Sequence, residues 1–277
     1  MIVRPWVIKL GGEVLDDLSK FREFAEDLKA LHDLGRPLMI VHGGGAQATA
    51  LMGKLGQDPT FVGGRRVTDG AALETVKMVI SGQVSVDLCA ILVSVGLSAL
   101  GLNGVSAALI QAKKRPPRVV RGGGSTPVDF GFVGDVTNIR KEKLQSLMEL
   151  GFVPVMACVA SDGDGQVLNI NADVVATDLA VALGADMLVA LSSVPGVLAD
   201  PEDPTSRFPC LDRAEVLKLL DQGVIAGGMV AKMDEALRAL KKGVPRVVVS
   251  GPVGRGILSS STEEPRTHGT EIVEKLD

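Results

Sequence analysis

Two lysines, an aspartate and an arginine stand where their charges suit the handling of an oxyanion. Lys9 ends the apolar run Val7-Ile8 and is followed by Leu10-Gly11-Gly12, so one strand delivers a cation and then two glycines. A lysine at the end of such a run emerges at the carboxyl edge of a sheet, where open α/β folds bind ligands, and the glycines let backbone N–H groups approach an anion. Lys232 follows Gly227-Gly228-Met229-Val230-Ala231, one turn into a helical pattern, where a cation opposes the helix dipole. Asp173 closes Leu168-Asn169-Ile170-Asn171-Ala172, which packs two amides and a carboxylate into the mouth of a helix. Arg66, in Gly64-Arg65-Arg66-Val67-Thr68-Asp69, carries a fork that grips a carboxylate in bidentate fashion. Each has a plainer reading beside this one: a snorkelling lysine, a capping Asn171, a first-turn acid, a surface arginine.

A third glycine-rich turn, His42-Gly43-Gly44-Gly45-Ala46-Gln47-Ala48, follows an apolar strand and opens a helix. Gly43, Gly45 and Ala48 satisfy the permissive dinucleotide spacing, but the acid expected some twenty residues later is Asp69, which falls in a loop or helix start and not at a strand end. An oxyanion cradle at a helix N-terminus, for phosphate or carboxylate, suits the turn better. Other chemistries lack their residues. Gly53-Lys54 has neither the upstream glycine nor the following Ser or Thr of a Walker A loop, and nothing matches a protein-kinase catalytic loop. With His32, His42 and His268 as the only histidines and no nucleophile elbow, Ser-His-Asp hydrolysis has no candidate.

The elements that must position these residues alternate as βαβ units. Strands are expected at Trp6 to Leu10, Pro37 to Val41, Leu97 to Leu102, Val153 to Val159, Gln166 to Ile170, Met187 to Leu191 and Arg246 to Val249, with Glu271 to Val273 closing the sheet. Helices are expected from Leu18 to Leu34, after Gly45 to about Leu55, from Ala71 through Val95 with a break near Ser81-Gly82, and at Lys141 to Leu150, Asn171 to Leu183, Ala214 to Gln222 and Gly228 to Lys242. Lys113 to Gly134, rich in Arg and Pro and containing Gly122-Gly123-Gly124, reads as an insertion of short antiparallel ribbons. The fold class is α/β, with two lobes sharing one sheet and meeting near 165.

Composition narrows the class further. A chain of 277 residues with 46% hydrophobic residues can bury a large core, and no segment is expected to be apolar for long enough to span a bilayer. A first strand so near Met1 leaves no signal peptide, which favours the cytoplasm. Cys89, Cys158 and Cys210 are too few and too scattered for a disulfide framework or a zinc site, and are expected to pack in the core. A net charge of −4 and 3% aromatic residues argue against nucleic-acid binding.

Taken in order, Ile8 to Gly12, Val41 to Gly45, Gly64 to Asp69, Val128-Asp129-Phe130-Gly131-Phe132-Val133-Gly134, Leu168 to Asp173, Val194-Pro195-Gly196-Val197, Gly227 to Met229 with Lys232, and Gly269-Thr270 resemble the amino acid kinase family, and within it the branch that phosphorylates N-acetylglutamate in arginine biosynthesis. The resemblance covers nearly the whole chain. It implies a three-layer αβα sandwich around a mainly parallel sheet, with an amino-acid lobe (1–165) that also carries a dimer interface and an ATP lobe (166–277). Lys9 and Lys232 would flank the transferring phosphoryl group, Gly12 and Gly45 would stabilise its oxygens through backbone N–H groups, and Asp173 would hold both lysines. Arg66 would clamp the substrate α-carboxylate, with Asn169 at the acetamido nitrogen and Gly44-Gly45 at the reacting end. The nucleotide would lie on Lys9, Gly11 and Lys232 through its phosphates, and on Ser193, Val194, Pro195, Gly196, Val197, Leu198, Val224, Ile225 and Ala226. Mg²⁺ would arrive with ATP, without a dedicated metal site, and the enzyme would be a cytoplasmic homodimer. A first strand starting about five residues in implies a dimer insensitive to arginine.

The chain also departs from the family pattern. Ser85-Val86 stand where Asn-Lys is usual, Ser106 replaces an aspartate, and Ser193 replaces an acid in the nucleotide lobe. Two alternatives therefore stay open: a kinase for a related carboxylate such as carrier-linked aminoadipate, and a sensing module of the same fold with little turnover.

Overall fold

A computed structural model of the protein describes residues 3–12, 17–120, 124–258 and 268–276. The chain opens with β1 (Trp6–Leu10), α1 (Leu18–Asp33), β2 (Leu38–His42) and α2 (Gly45–Lys54). A short hairpin of β3 (Phe61–Val62) and β4 (Arg65–Arg66) leads to α3 (Gly70–Val76), α4 (Ser85–Ser94) and β5 (Ala99–Asn103). Then come β6 (Ile110–Lys114), β7 (Gly134–Ile139), α5 (Lys141–Glu149), β8 (Val153–Ala157), β9 (Val159–Ser161), β10 (Val167–Asn169), α6 (Ala172–Leu183) and β11 (Met187–Leu191). The last part holds β12 (Cys210–Asp212), α7 (Arg213–Asp221), α8 (Gly228–Lys241), β13 (Val247–Ser250) and β14 (Thr270–Val273).

Eight strands form the central sheet in the order β12-β14-β13-β11-β1-β2-β8-β5. It is parallel from β13 to β5, while β14 runs antiparallel to β13. All of β1, β2 and β8 are buried, as expected of strands covered on both faces, which is why they read as unbroken apolar runs. Helix α6 packs on β1 and β11, with α5 and α8 beside it, and α4 packs on β5 and β8 with α1 against it. The result is the expected αβα sandwich. Because β1 pairs with β2 on one side and β11 on the other, a single sheet runs through both expected lobes.

Three expectations need correction. Val153 to Val159 is not one strand: the chain leaves the central sheet after Ala157, and β9 joins a separate four-stranded sheet, β10-β9-β6-β7. The change of sheet is hidden in the sequence because Val153 through Ala160 is buried throughout. Helix α3 does not break at Ser81-Gly82 but continues through a π-helical stretch, Lys77–Val84, into α4. The eight-residue π-helical stretch keeps the helix continuous where a break was expected, and wider turns of this kind are often found beside functional sites. The resulting helix, Gly70–Ser94, has 25 residues and contains an 18-residue window of mean hydropathy 1.7, so by length and composition it is long and apolar enough to cross a membrane, contrary to expectation. One face, with Val76, Ile80, Val84 and Leu88, belongs to the core.

The Arg- and Pro-rich insertion is bounded by the antiparallel pair β6 and β7, and an Arg118–Val128 bridge continues the ribbon. Its Val120, Phe130 and Val133 form a small second core with Val62 and Val67, which ties it to the β3–β4 hairpin. Gly122-Gly123 lies outside the described residues.

Candidate active site

The site begins where β1 meets the N-terminus of α6. Asn171 caps that helix: its side-chain oxygen accepts from the N–H groups of Asp173 at 2.7 Å and Val174 at 3.4 Å. With the cap supplied by Asn171, the Asp173 carboxylate turns to Lys9, whose Nζ lies 2.9 Å from Oδ1, with both side chains largely buried. Burial alone would push the Asp173 carboxyl up, but Lys9 and then Lys232 outweigh it and hold it below the ordinary carboxylate range. Asp173 is therefore an anion set between two cations, and a gap of about 10 Å³ is lined by all three residues.

Helices α6 and α8 are joined by charge. Arg238 pairs with Asp178 and, at 2.6 Å, with Glu235, and Lys242 lies 3.8 Å from Asp178. Burial works against the Arg238 cation, yet the two carboxylates raise its pKa above the ordinary value. This network fixes the helix bearing Lys232 against the helix bearing Asp173.

The glycine turn after β2 forms the wall beside Lys9. Gly44 takes φ 155°, a conformation that L side chains rarely adopt, and an added Cβ would sit 3.1 Å from Ile80 and 3.2 Å from Val84 in the π-helical stretch. No side chain caps α2, which leaves its first N–H groups for an anion. Gln47 donates from Nε2 to the Gly12 carbonyl at 2.7 Å and so ties this turn to the one after β1. Beneath it, His42 Nδ1 donates to the Gly43 carbonyl at 2.9 Å, and burial lowers its pKa to about 4, so the imidazole is neutral at pH 7. Its Nε2 is buried with no hydrogen-bond partner among the described residues.

Arg66 is held before any ligand arrives. It donates to the Gly45 carbonyl at 3.0 Å and to Thr49 Oγ1 at 2.6 Å, touches Met52 Sδ at 3.1 Å, and lies 4.7 Å over the Phe61 ring. Partial burial lowers its pKa. Asn169, at the end of β10, donates from Nδ2 to Thr68 Oγ1 at 3.2 Å. A cavity of about 850 Å³ brings together Lys9, Gly11, Gly12, Gly44, Gly45, Arg66, Asn169, Asp173 and Lys232. Cys158 also lines it, but burial raises that thiol to about 12 and keeps it protonated. Cys89 is half-buried and packs against the main core, as expected, whereas Cys210 is half-buried outside it.

A second cavity of about 400 Å³ opens beyond α8 and is lined by Ser193, Val194, Gly196, Val197, Leu198, Val224, Ile225, Ala226 and Lys232. Pro195 is not part of its lining. Thr270 anchors the Val197 backbone of this lining: its hydroxyl accepts from the Val197 N–H at 2.8 Å and donates to the Phe208 carbonyl at 2.7 Å. Gly196 passes so close that an added Cβ would lie 2.5 Å from Thr270 Oγ1. Lys232 lines both cavities and marks their junction. Of the family departures, Ser193 lines the second cavity, whereas Ser85, Val86 and Ser106 line neither.

Sequence reasoning missed Gln47, Thr49, Phe61, Arg115 and Arg118 in the first region. The only local signal for Gln47 was its place one turn into a helix behind three glycines. The arginines fall in the Arg- and Pro-rich segment read as an insertion of short antiparallel ribbons, where no motif marks them.

Residues 4–250 match the model of the amino acid kinase family. An acetylglutamate kinase of Anaeromyxobacter dehalogenans (strain 2CP-C) is 47% identical over 266 residues, covering 96% of this chain and 98% of the relative. The acetylglutamate kinase of Sorangium cellulosum (strain So ce56) is 45% identical over 269 residues, covering 97% and 94%. Among solved structures, smu.665 of Streptococcus mutans UA159 superposes with a TM-score of 0.78 at 28% identity, over 98% of both chains. With a lysine-aspartate-lysine centre joining two cavities on a mainly parallel sheet, and a family match that spans most of its length, the chain belongs to the amino acid kinase family.

Proposed function

We propose that the protein is an acetylglutamate kinase, a phosphotransferase that moves the γ-phosphoryl group of ATP to the side-chain carboxylate of N-acetyl-L-glutamate, in arginine biosynthesis. The observation that carries this reading is the junction itself: Lys232 lines both cavities, and Asp173 lies between the fields of Lys232 and Lys9. An acceptor in the first cavity and a nucleotide in the second would meet there. The names of the relatives favour this substrate over the related carboxylate and the sensing module.

A carboxylate of pKa about 4 is already ionised at neutral pH, so the reaction needs no general base. One carboxylate oxygen bonds to the γ-phosphorus, the bond from phosphorus to the β–γ bridging oxygen breaks, and ADP leaves with that electron pair. The protein's part is positioning and neutralisation of charge. Lys9 and Lys232 flank the moving group, Asp173 holds both ammonium groups, and the Gly12 and Gly45 N–H groups stabilise the phosphoryl oxygens. Arg66 takes the α-carboxylate and Asn169 the acetamido group. The adenosine occupies the second cavity from Ser193 to Leu198 and Val224 to Ala226, and Lys9 and Gly11 join Lys232 at the phosphates.

The described residues hold no group of three or more metal-ligating side chains, and the Asp173 carboxylate is engaged by Lys9. These donors do not suit a resident ion, which supports reading Mg²⁺ as bound through the nucleotide phosphates. The reading includes the lobe division 1–165 and 166–277, a cytoplasmic location and a homodimer. Exposed Met78, Val86 and Val93 on the long helix support such an apolar contact.

Hydroxylamine trapping with Mg·ATP tests the assignment. Hydroxamate from N-acetyl-L-glutamate, and none from glutamate, aspartate or N-acetylaspartate, is expected. No hydroxamate from any of these acids overturns it.

A further inference from the structure

Among the described residues, five arginines line the first cavity; Arg238 is paired with Asp178 and Glu235, and the reaction described above uses one of the other four. Arg65 and Arg66 come from β4, and Arg115 and Arg118 from the segment that leaves β6. Arg115 is built into the wall. Its side chain is 6% exposed, its Nε and Nη2 donate to Asp135 Oδ1 at 2.9 and 2.7 Å, and Nη2 reaches the Gly134 carbonyl at 3.4 Å. The Arg118–Val128 pairing holds Arg118 beside it. Among the described residues, Asp135 is the one carboxylate that ion-pairs with any of the four. Burial, then repulsion from Arg115 and Arg65, lowers the pKa of Arg118 against the pull of Asp135.

Cations gathered against a single carboxylate repel one another, and this repulsion is relieved when an anion binds among them. The wall has no counterpart in the transfer chemistry, because N-acetylglutamate carries two carboxylates: one reacts, and the other is taken by Arg66. We propose that Arg65, Arg115 and Arg118 form an anion subsite for a further carboxylate borne on the acyl chain, so that N-acylglutamates with dicarboxylic acyl groups are bound more tightly than neutral ones of equal length. The inference rests on the proposed function, since it extends the acceptor of that reaction. Guanidinium forks suit such a group because they grip a carboxylate through paired hydrogen bonds.

The test is calorimetric titration of the protein, with a non-hydrolysable ATP analogue present, using N-succinyl-L-glutamate and N-butyryl-L-glutamate. These two ligands match in chain length and differ in the terminal carboxylate. The succinyl compound is expected to bind about tenfold more tightly or better, the size of one charge-assisted hydrogen bond. Arg118→Gln or Arg65→Gln should shrink that ratio to about twofold, each measured against N-butyryl-L-glutamate as its own reference. Arg115 is left intact because its buried pairing makes it a risk to folding. Equal or weaker binding of the succinyl compound overturns the subsite, as does a ratio that survives in both variants. Hydroxamate formation from N-acetyl-L-glutamate is followed in parallel. Turnover without a succinyl preference sinks the subsite alone, whereas no turnover sinks the functional reading and leaves the titrations to decide the subsite.

Discussion

The two cavities that meet at Lys232 are built from different materials. The first is lined by lysines, arginines and carboxylates, whereas among the described residues Lys232 is the only charged one that lines the second. The second instead presents small and aliphatic side chains held by backbone geometry, as in the close pass of Gly196 over Thr270. Charges select a ligand by the groups they neutralise, while an apolar slot selects by shape. The first cavity should therefore respond to loss of a charge, and the second to added volume.

The sharpest way to break the comparison is Asp173→Ala. Lys9 would keep its buried position without its carboxylate, and breaking one side of a buried pair costs roughly 3–5 kcal/mol. Denaturant unfolding should show that loss together with severely reduced turnover. Near-native stability would mean that the pair is less buried in solution than the structure has it.

Lys232→Ala acts where the cavities meet. It should lower turnover by on the order of a hundredfold or more with substrate binding kept, as loss of an electrostatic stabiliser does. Unchanged turnover would remove Lys232 from the mechanism.

Arg66→Ala confines the effect to the first cavity. The KM for N-acetyl-L-glutamate should rise by roughly tenfold or more, the worth of charged hydrogen bonds to a carboxylate, while the KM for ATP stays near its starting value. A selective loss of ATP affinity would contradict the division between the cavities.

Gly196→Ala is the counterpart in the second cavity and the smallest effect of the four. The added Cβ meets Thr270 at a backbone φ of 152°, so about 1–3 kcal/mol of stability should be lost and the KM for ATP should rise alone. A rise in the KM for N-acetyl-L-glutamate of the same size would show that the cavities are not separable.

Much of the fold was legible because its strands and helices carry strong local patterns. Strand β1 was read with its observed ends, and α2, α6 and β11 lie within a residue of the readings. What failed were the places where the local pattern is uniform. Val153 to Ala160 is apolar through a change of sheet, and the helix from Gly70 to Ser94 absorbs Ser81-Gly82 in a π-helical stretch. Neither event changes the alternation of polar and apolar residues from which periodicity is read.

By itself the sequence determined which groups are available: two lysines behind glycines, an aspartate in a first turn, an arginine beside a helix start, and the ordered segments that resemble one family. It also determined the alternation of strand and helix, because a buried parallel sheet needs apolar runs separated by amphipathic ones. Only the tertiary structure decided that Lys9 and Asp173, 164 positions apart by their numbers, lie 2.9 Å apart, and that Lys232 lines both cavities. It also decided that Arg65, Arg115 and Arg118 share a wall with Arg66. Side chains far apart along the chain become neighbours only when the sheet order is set, and that order depends on burial of the whole core, which no local spacing records.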